Sequence, residues 1–182
     1  VTKIYRTIVA DPPWNYRDRV GPGLGFGADR IRGRRGAAGY YPLMSLEQII
    51  ALGAGGTIAG FQAAQNAHLY LWTTNAFLEQ AHIVARAWGF TPRTVLTWIK
   101  PQMGMGSYFR NTTEHVVFAV RGSLPLHVKN QRTDFRAPRR RHSEKPEEFF
   151  EIVERCSPGP YLELFSRKPR EGWQVWGNEV AA

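Results

Sequence analysis

The residues best placed to do chemistry are Asp11, Pro12, Pro13 and Trp14, which follow the apolar run Ile8-Val9-Ala10. Such a run suits a buried strand. Two consecutive prolines have no N–H to offer a sheet ladder, so the strand stops at Asp11. A carboxylate, a rigid turn and a large aromatic are then held at a strand's C-terminal end. That is where ligands bind in open α/β sheets. The same four residues also suit a plain strand end with a solvated acid and a core tryptophan, and the rest of the chain decides between the two.

The chain has 182 residues, 43% hydrophobic and 21% charged, which fits one globular domain with its own core over residues 1–182. No apolar run is long enough to cross a bilayer, and the N-terminal residues lack a signal-peptide pattern, so a cytoplasmic protein with no membrane partner is expected. The single cysteine, Cys156, excludes an internal disulfide and suits a buried helix position. The histidines at 68, 82, 115, 127 and 142 show no ligand spacing, so no metal is expected. The net charge of +9 is concentrated. Residues 17–35 hold six arginines against Asp18 and Asp29, and residues 127–142 hold Lys129 and five arginines against Asp134. Two basic segments on a neutral body look like a footprint for a polyanion, and nucleic acid is the expected partner.

These residues need a scaffold. Residues 4–10 read as the first strand. A basic loop rich in glycine covers 15–39, and Ser45-Leu46-Glu47-Gln48 matches a capping box that opens a short helix. Residues 53–67 carry no clear pattern. His68–Trp72 reads as a second strand. Asn75 is read as the N-cap of a helix with Phe77, Ala81, Val84 and Trp88 on one face, closed by Gly89. Arg93–Lys100 and Glu114–Arg121 read as strands three and four, with a Gly/Met loop at 101–112 between them, and 127–142 reads as a second basic loop. Pro146 suits the first position of a helix whose buried stripe is Phe149, Ile152, Val153 and Cys156. Tyr161–Ser166 and Trp173–Trp176 complete six strands. Strands alternating with helices predict an α/β fold with a mostly parallel sheet and helices on both faces.

An ordered series of motifs runs through the chain. Asp11-Pro12-Pro13-Trp14 is followed by Tyr41-Pro42-Leu43-Met44-Ser45 and by Leu69-Tyr70-Leu71-Trp72 with Thr73-Thr74-Asn75. Next come Trp98-Ile99-Lys100, Arg110-Asn111-Thr112-Thr113-Glu114-His115 and Lys145-Pro146-Glu147-Glu148. The series closes with Leu162-Glu163-Leu164-Phe165-Ser166-Arg167 and Trp176-Gly177-Asn178-Glu179. Over nearly its whole length the chain resembles the adenine-N6 methyltransferases that carry this Asp-Pro-Pro-Trp motif. They include the catalytic subunit of the eukaryotic messenger-RNA adenosine methyltransferase and bacterial and phage DNA adenine methyltransferases.

The resemblance implies a Rossmann-like fold that binds S-adenosylmethionine, with permuted motif order: catalytic strand first, cofactor strand late. It implies that Asp11, Glu163, Phe165 and Arg167 border the cofactor and that Asn178 and Glu179 reach its ribose. The Gly-rich turn usual after the cofactor strand is replaced by Ser166-Arg167-Lys168-Pro169-Arg170. Some relatives place a cofactor-contacting lysine near Thr112-Thr113; here Asn111 and Arg167 are the nearer candidates. Tyr16, Arg17, Arg34, Arg35, Tyr41, Arg139, Arg140 and Arg141 are expected to contact substrate.

An exocyclic adenine amine is a poor nucleophile because its lone pair is delocalised. Asp11 and the Pro12 carbonyl can each accept one N–H, which aims the lone pair at the methyl sulfonium, while Pro13 keeps the turn rigid. Trp14 or Tyr16 would stack on the base. The expected reaction is direct methyl transfer to adenine N6, on DNA first and RNA second, by a monomer or homodimer. A catalytically silent nucleic-acid-binding relative is the alternative from another class. A glutamine- or cytosine-directed enzyme fits the later motifs less well.

Overall fold

The computed structural model describes residues 3–15, 43–104, 108–139, 144–166 and 168–177. These form one mixed sheet with helices against both faces. The elements in order are β1 (Ile4–Ala10), α1 (Leu46–Ala51), β2 (Thr57–Ile58), β3 (Phe61–Thr73), α2 (Leu78–Ala87), β4 (Thr91–Ile99), β5 (Thr113–Arg121), β6 (Asp134–Arg136), α3 (Glu147–Cys156), β7 (Tyr161–Leu164) and β8 (Trp173–Trp176). Across the sheet the order is β6-β4-β5-β3-β1-β7-β8, with β2 paired to β3. Parallel pairing joins β1 to β3 and β7, β7 to β8, and β4 to β6, whereas β5 is antiparallel to both neighbours and β2 to β3. All strands but β2 and β5 therefore point the same way. The C-terminal ends of β1, β3, β4, β7 and β8 share one edge of the sheet with the start of β5.

Alternation along the strands splits the core in two. Ile8, Ala10, Leu69, Leu71, Val117 and Ala119 face α1 and α2, where they meet Ile49, Phe77, Ala81, Val84 and Trp88. Val9, Tyr70, Trp72, Val116 and Phe118 face α3, where they meet Phe149, Phe150, Ile152, Val153 and Cys156. The expected two-sided α/β layering is thus present. Ser45 caps α1 with the reciprocal bonds read from the sequence: the Gln48 N–H donates to Ser45 Oγ, and the Ser45 N–H donates to Gln48 Oε1 at 2.8 Å. The indole N–H of Trp88 donates to the Ile49 carbonyl at 3.0 Å, and a Cβ on Gly53 would lie 2.3 Å from that ring, so α1 and α2 meet closely at this glycine. Gly89 ends α2 in the left-handed conformation, as expected.

Four readings change. The patternless stretch 53–67 holds β2 and the first half of β3, joined by a two-residue turn in which Ala59 (φ 51°) and Gly60 (φ 83°) are both left-handed. Such a turn normally advertises itself as Asn-Gly or Asp-Gly. Asn75 is not a helix cap: a 3-10 turn covers Asn75–Phe77, and the Asn75 side chain ties the turn to β5 through Thr113 (3.2 Å) and His115 (2.7 Å). Pro146 is the N-cap of α3, one position before the helix. The second basic segment is not all loop, because Asp134–Arg136 adds β6 to the edge of β4.

Candidate active site

Asp11 leaves β1 at the shared edge, between the ends of β3 and β7. Its backbone N–H donates to the Leu164 carbonyl at 3.4 Å. The turn after it is fixed by its own backbone: the Trp14 N–H donates to the Pro12 carbonyl at 2.9 Å, and the Met44 N–H donates to the Pro13 carbonyl at 2.9 Å. The Pro12 carbonyl is therefore rigidly aimed and keeps one lone pair. Trp14 belongs to the core. It is 6% exposed, its indole N–H donates to the Trp72 carbonyl at 3.0 Å, and its ring stacks on Phe77 at 5.5 Å. That packing takes one face of the ring and anchors the turn. Its edge, with Asn15, Met44, Leu46, Glu47 and Gln80, lines a cavity of about 350 Å³ beside the turn.

The side chain of Asp11 meets a partner from the motif Lys145-Pro146-Glu147-Glu148. Lys145, the residue before the N-cap of α3, puts Nζ 2.6 Å from Asp11 Oδ2 and 3.6 Å from Glu114 Oε2, and 5.0 Å above the Trp72 ring. Glu114 at the start of β5 also pairs with Lys100 at the end of β4, whose ammonium lies 4.6 Å over the Trp98 ring. Four charges of alternating sign thus run along the sheet edge: Asp11, Lys145, Glu114, Lys100. Burial works to raise the Glu114 pKa, but the Lys145 and Lys100 ammoniums outweigh it and hold the carboxyl below its ordinary value. Burial pulls Lys100 down, with Glu114 opposing. The only sign of this chain in the sequence was that Lys100, Glu114 and Lys145 each sit inside one of the ordered motifs.

The other neighbour of β1 is different. Glu163 lies opposite Val9 in the β1–β7 register, with 16% of its side chain exposed. Its Oε2 is 3.9 Å from Arg170 Nε, and both atoms are buried without a hydrogen-bond partner. Burial pushes the Glu163 carboxyl up to about 7, Arg170 opposing and the nearby Asp11 adding to the rise. Arg170 is held by a two-pronged bond to Glu147 (2.5 and 3.2 Å) and lies 3.5 Å from the Phe150 ring centroid. Its grip holds the Glu147 carboxyl down to about 2.

The turn after β7 does without glycine. Phe165 itself adopts the left-handed conformation (φ 65°), with its ring edge-on to Trp176 at 5.4 Å. A bulky residue there is strained and persists only because its surroundings fix it. One anchor is the Ser166 N–H, which donates to the Trp176 carbonyl at 3.0 Å. Another is Gly177, where a Cβ would lie 2.1 Å from the Ser166 carbonyl oxygen.

Of the residues singled out from the sequence, Asp11, Pro12, Glu163 and Phe165 come together around the ends of β1 and β7. Asn111 does not join them: it lies before β5, with β3 and β1 between it and β7, and its carbonyl accepts from the Gly104 N–H at 2.7 Å. Arg139 lies against the same Gly104. Tyr16, Arg17, Arg34, Arg35, Tyr41, Arg140, Arg141, Arg167, Asn178 and Glu179 fall outside the described residues. Among the described residues, no helix is long and apolar enough to cross a membrane.

The acid at the end of β1, with one flank ion-paired and the other carrying buried polar atoms without partners, lies where open α/β sheets bind their ligands. The chain belongs to the MT-A70 family of methyltransferases, whose model matches residues 5–179. It is 28% identical over 190 residues to the type II methyltransferase M.MunI of Mycoplasma sp, an alignment covering 98% of this chain and 78% of that protein. It is 27% identical over 124 residues to the human N(6)-adenosine-methyltransferase catalytic subunit METTL3, covering 62% of this chain, and 25% identical over 190 residues to the MT-A70-like protein of Drosophila melanogaster, covering 97%. The chain spans only 21% and 27% of those two longer proteins.

Proposed function

We propose that this chain transfers a methyl group from S-adenosylmethionine to the exocyclic N6 amine of adenine in nucleic acid. DNA is the first substrate, favoured by a match to a type II methyltransferase that covers 98% of this chain and 78% of that protein, and RNA is the second. The observation that carries the reading is Asp11: a carboxylate at the strand end, fixed by Lys145 at 2.6 Å, beside a carbonyl with a lone pair to spare.

The orphaned Glu163 Oε2 and Arg170 Nε fit the cofactor's chemistry, since a carboxylate can take an ammonium or hydroxyls and a guanidinium N–H can take a carboxylate. When bound, the cofactor supplies an electrophilic methyl on a positively charged sulfur. The chain's own residues do the rest. Asp11 and the Pro12 carbonyl each accept one N–H of the amine and turn its lone pair outward. As the nitrogen gains the methyl group it becomes cationic and must release a proton, and Asp11 is the carboxylate within reach to hold it. Lys145 keeps Asp11 from swinging away, so the acceptors are arranged before the reaction begins.

Incubation with methyl-labelled S-adenosylmethionine and separate DNA and RNA pools, followed by digestion to nucleosides, tests this. Label is expected on N6-methyladenine. Absence of labelled adenine from every pool would return the chain to the silent, binding-only alternative.

A further inference from the structure

We propose that Met103, Tyr108 and Phe109, on the described parts of the connection between β4 and β5 (101–104 and 108–112), form a stacking platform for the bases that flank the target nucleotide. The inference rests on the nucleic-acid reading above and adds the surface that grips the substrate outside the reacting base.

Tyr108 is 83% exposed, Phe109 86% and Met103 72%, by far the most exposed large apolar side chains of the described surface. Large apolar side chains exposed together on one connection mark a binding surface. The hairpin's stem is pinned. The Lys100 N–H donates to the Thr112 carbonyl at 2.8 Å, and the Gly104 N–H donates to the Asn111 carbonyl at 2.7 Å. At Gly104 a Cβ would lie 2.8 Å from Arg139 Nη2 and 2.9 Å from the Asn111 carbonyl oxygen, so glycine lets the Arg139 guanidinium pack against the stem.

Within the connection itself the charge has one sign. The segment 101–112 contains Arg110 and no acid. Arg136 lies opposite Ile99 across the β4–β6 pair, which places it beside the hairpin's foot. Aromatics set beside the guanidinium groups of Arg110, Arg136 and Arg139 match single-stranded or flipped-out nucleic acid, whose bases stack while its phosphates are neutralised.

The platform is also tied to the reacting end. Lys100 and Glu114, at the feet of the hairpin, are two members of the ion chain that ends on Asp11. β4 is three strand spacings from β1, roughly 14 Å, within reach of a few nucleotides of extended strand.

The test is binding of a single-stranded oligodeoxynucleotide carrying 2-aminopurine, and of its RNA counterpart, by the wild type and by the double variant Tyr108→Ala/Phe109→Ala. Binding by the double variant is expected to be about tenfold weaker or worse, with 2-aminopurine quenching lost and the salt dependence of binding unchanged. Tyr108→Trp/Phe109→Trp should keep both affinity and quenching. Arg139→Ala should instead flatten the salt slope by about one. Wild-type affinity and quenching in the double variant would overturn the platform. So would a wild-type dimer that the double variant dissociates while oligonucleotide binding persists, since the aromatics would then be a protein interface. A wild type that binds and quenches but methylates no adenine leaves the platform and removes the reaction. A wild type that methylates adenine, with the double variant keeping its KM for the oligonucleotide, removes the platform alone. A wild type that binds no nucleic acid removes both.

Discussion

The two flanks of β1 are built to opposite rules. On the β3–β5–β4 side the charges near Asp11 among the described residues are answered: Lys145 by Asp11 and Glu114, and Glu114 by Lys100 as well. On the β7 side, Glu163 Oε2 and Arg170 Nε face each other at 3.9 Å and neither has a hydrogen bond. A buried polar atom without a partner costs about 1–3 kcal/mol, so a pair of them at a sheet's ligand-binding edge indicates groups reserved for something that binds. The answered flank holds the acid still, and Asp11 stands between the two.

The comparison breaks most visibly at its centre. Asp11→Ala should lower methyl transfer by at least about 10²-fold, the scale for losing one well-placed polar group at a reacting centre, while cofactor affinity measured by calorimetry stays within a few fold. Lys145→Met tests the answered flank. It leaves Asp11 and Glu114 as neighbouring carboxylates without their shared cation. Breaking a fully buried pair costs about 3–5 kcal/mol, and the partial exposure of Asp11 and Glu114 reduces this to about 2 kcal/mol. A lowered thermal midpoint and a lowered kcat are expected together, with Lys145→Arg restoring the midpoint more fully than the rate. An unchanged midpoint would mean that the lysine does not hold this edge together.

The unanswered flank makes a pH prediction. The Glu163 carboxyl is raised to about 7, chiefly by burial. It is therefore largely neutral below that pH and anionic above it. A cofactor that carries a positively charged sulfur and an ammonium binds the anionic form better, so its affinity should climb as pH rises through about 7. Glu163→Gln should bind more weakly at pH 8 and show little of this climb. Titration calorimetry across pH 6 to 8 reads both. A wild-type affinity flat across that range would show that Glu163 does not face the cofactor.

What the sequence showed of these flanks follows from the range of the signals. The end of β1 is written in four adjacent residues, the start of α1 in Ser45 and Gln48, and the end of α2 in Gly89, so each was legible. β2 was hidden because its turn puts Ala59, not asparagine, in a left-handed position. Asn75 looked like a cap because a local rule fits it, yet a bond to His115 across the fold claimed its side chain. Lys145 shows in the sequence only as a member of a motif. Its distance to Asp11 is a property of how α3 lies across the sheet, which no local spacing encodes. Phe165 replaces a glycine in conformation while giving no sign of it in residue type.

The smallest effect sharpens the comparison below the site, where the answered flank continues into the core. His68 is fully buried on the α3 face, with Nε2 at 2.8 Å from the Leu124 carbonyl and Nδ1 at 2.7 Å from Ser157 Oγ, which in turn lies 2.7 Å from the Tyr70 hydroxyl. A carbonyl only accepts, so Nε2 carries the proton. Nδ1 then accepts from Ser157, and Ser157 accepts from Tyr70, which satisfies every group with the imidazole neutral. Burial holds the His68 pKa below its ordinary value, with the Leu124 carbonyl opposing. The unfolded chain therefore binds a proton at a pH where the folded chain does not. Stability from this residue is complete above about pH 6.5 and is lost as pH falls from there towards the folded-state value, with a limiting slope of about 1.4 kcal/mol per pH unit. His115, also lowered by burial, acts in the same direction, and Glu163, raised, acts in the opposite one. The difference between wild type and His68→Asn isolates the residue: the wild type should lose more stability between pH 7 and pH 5 than the variant does, measured by denaturant unfolding. Parallel losses in the two proteins would mean that His68 takes up its proton in the folded state as readily as in the unfolded, and the answered flank would then end at Trp72.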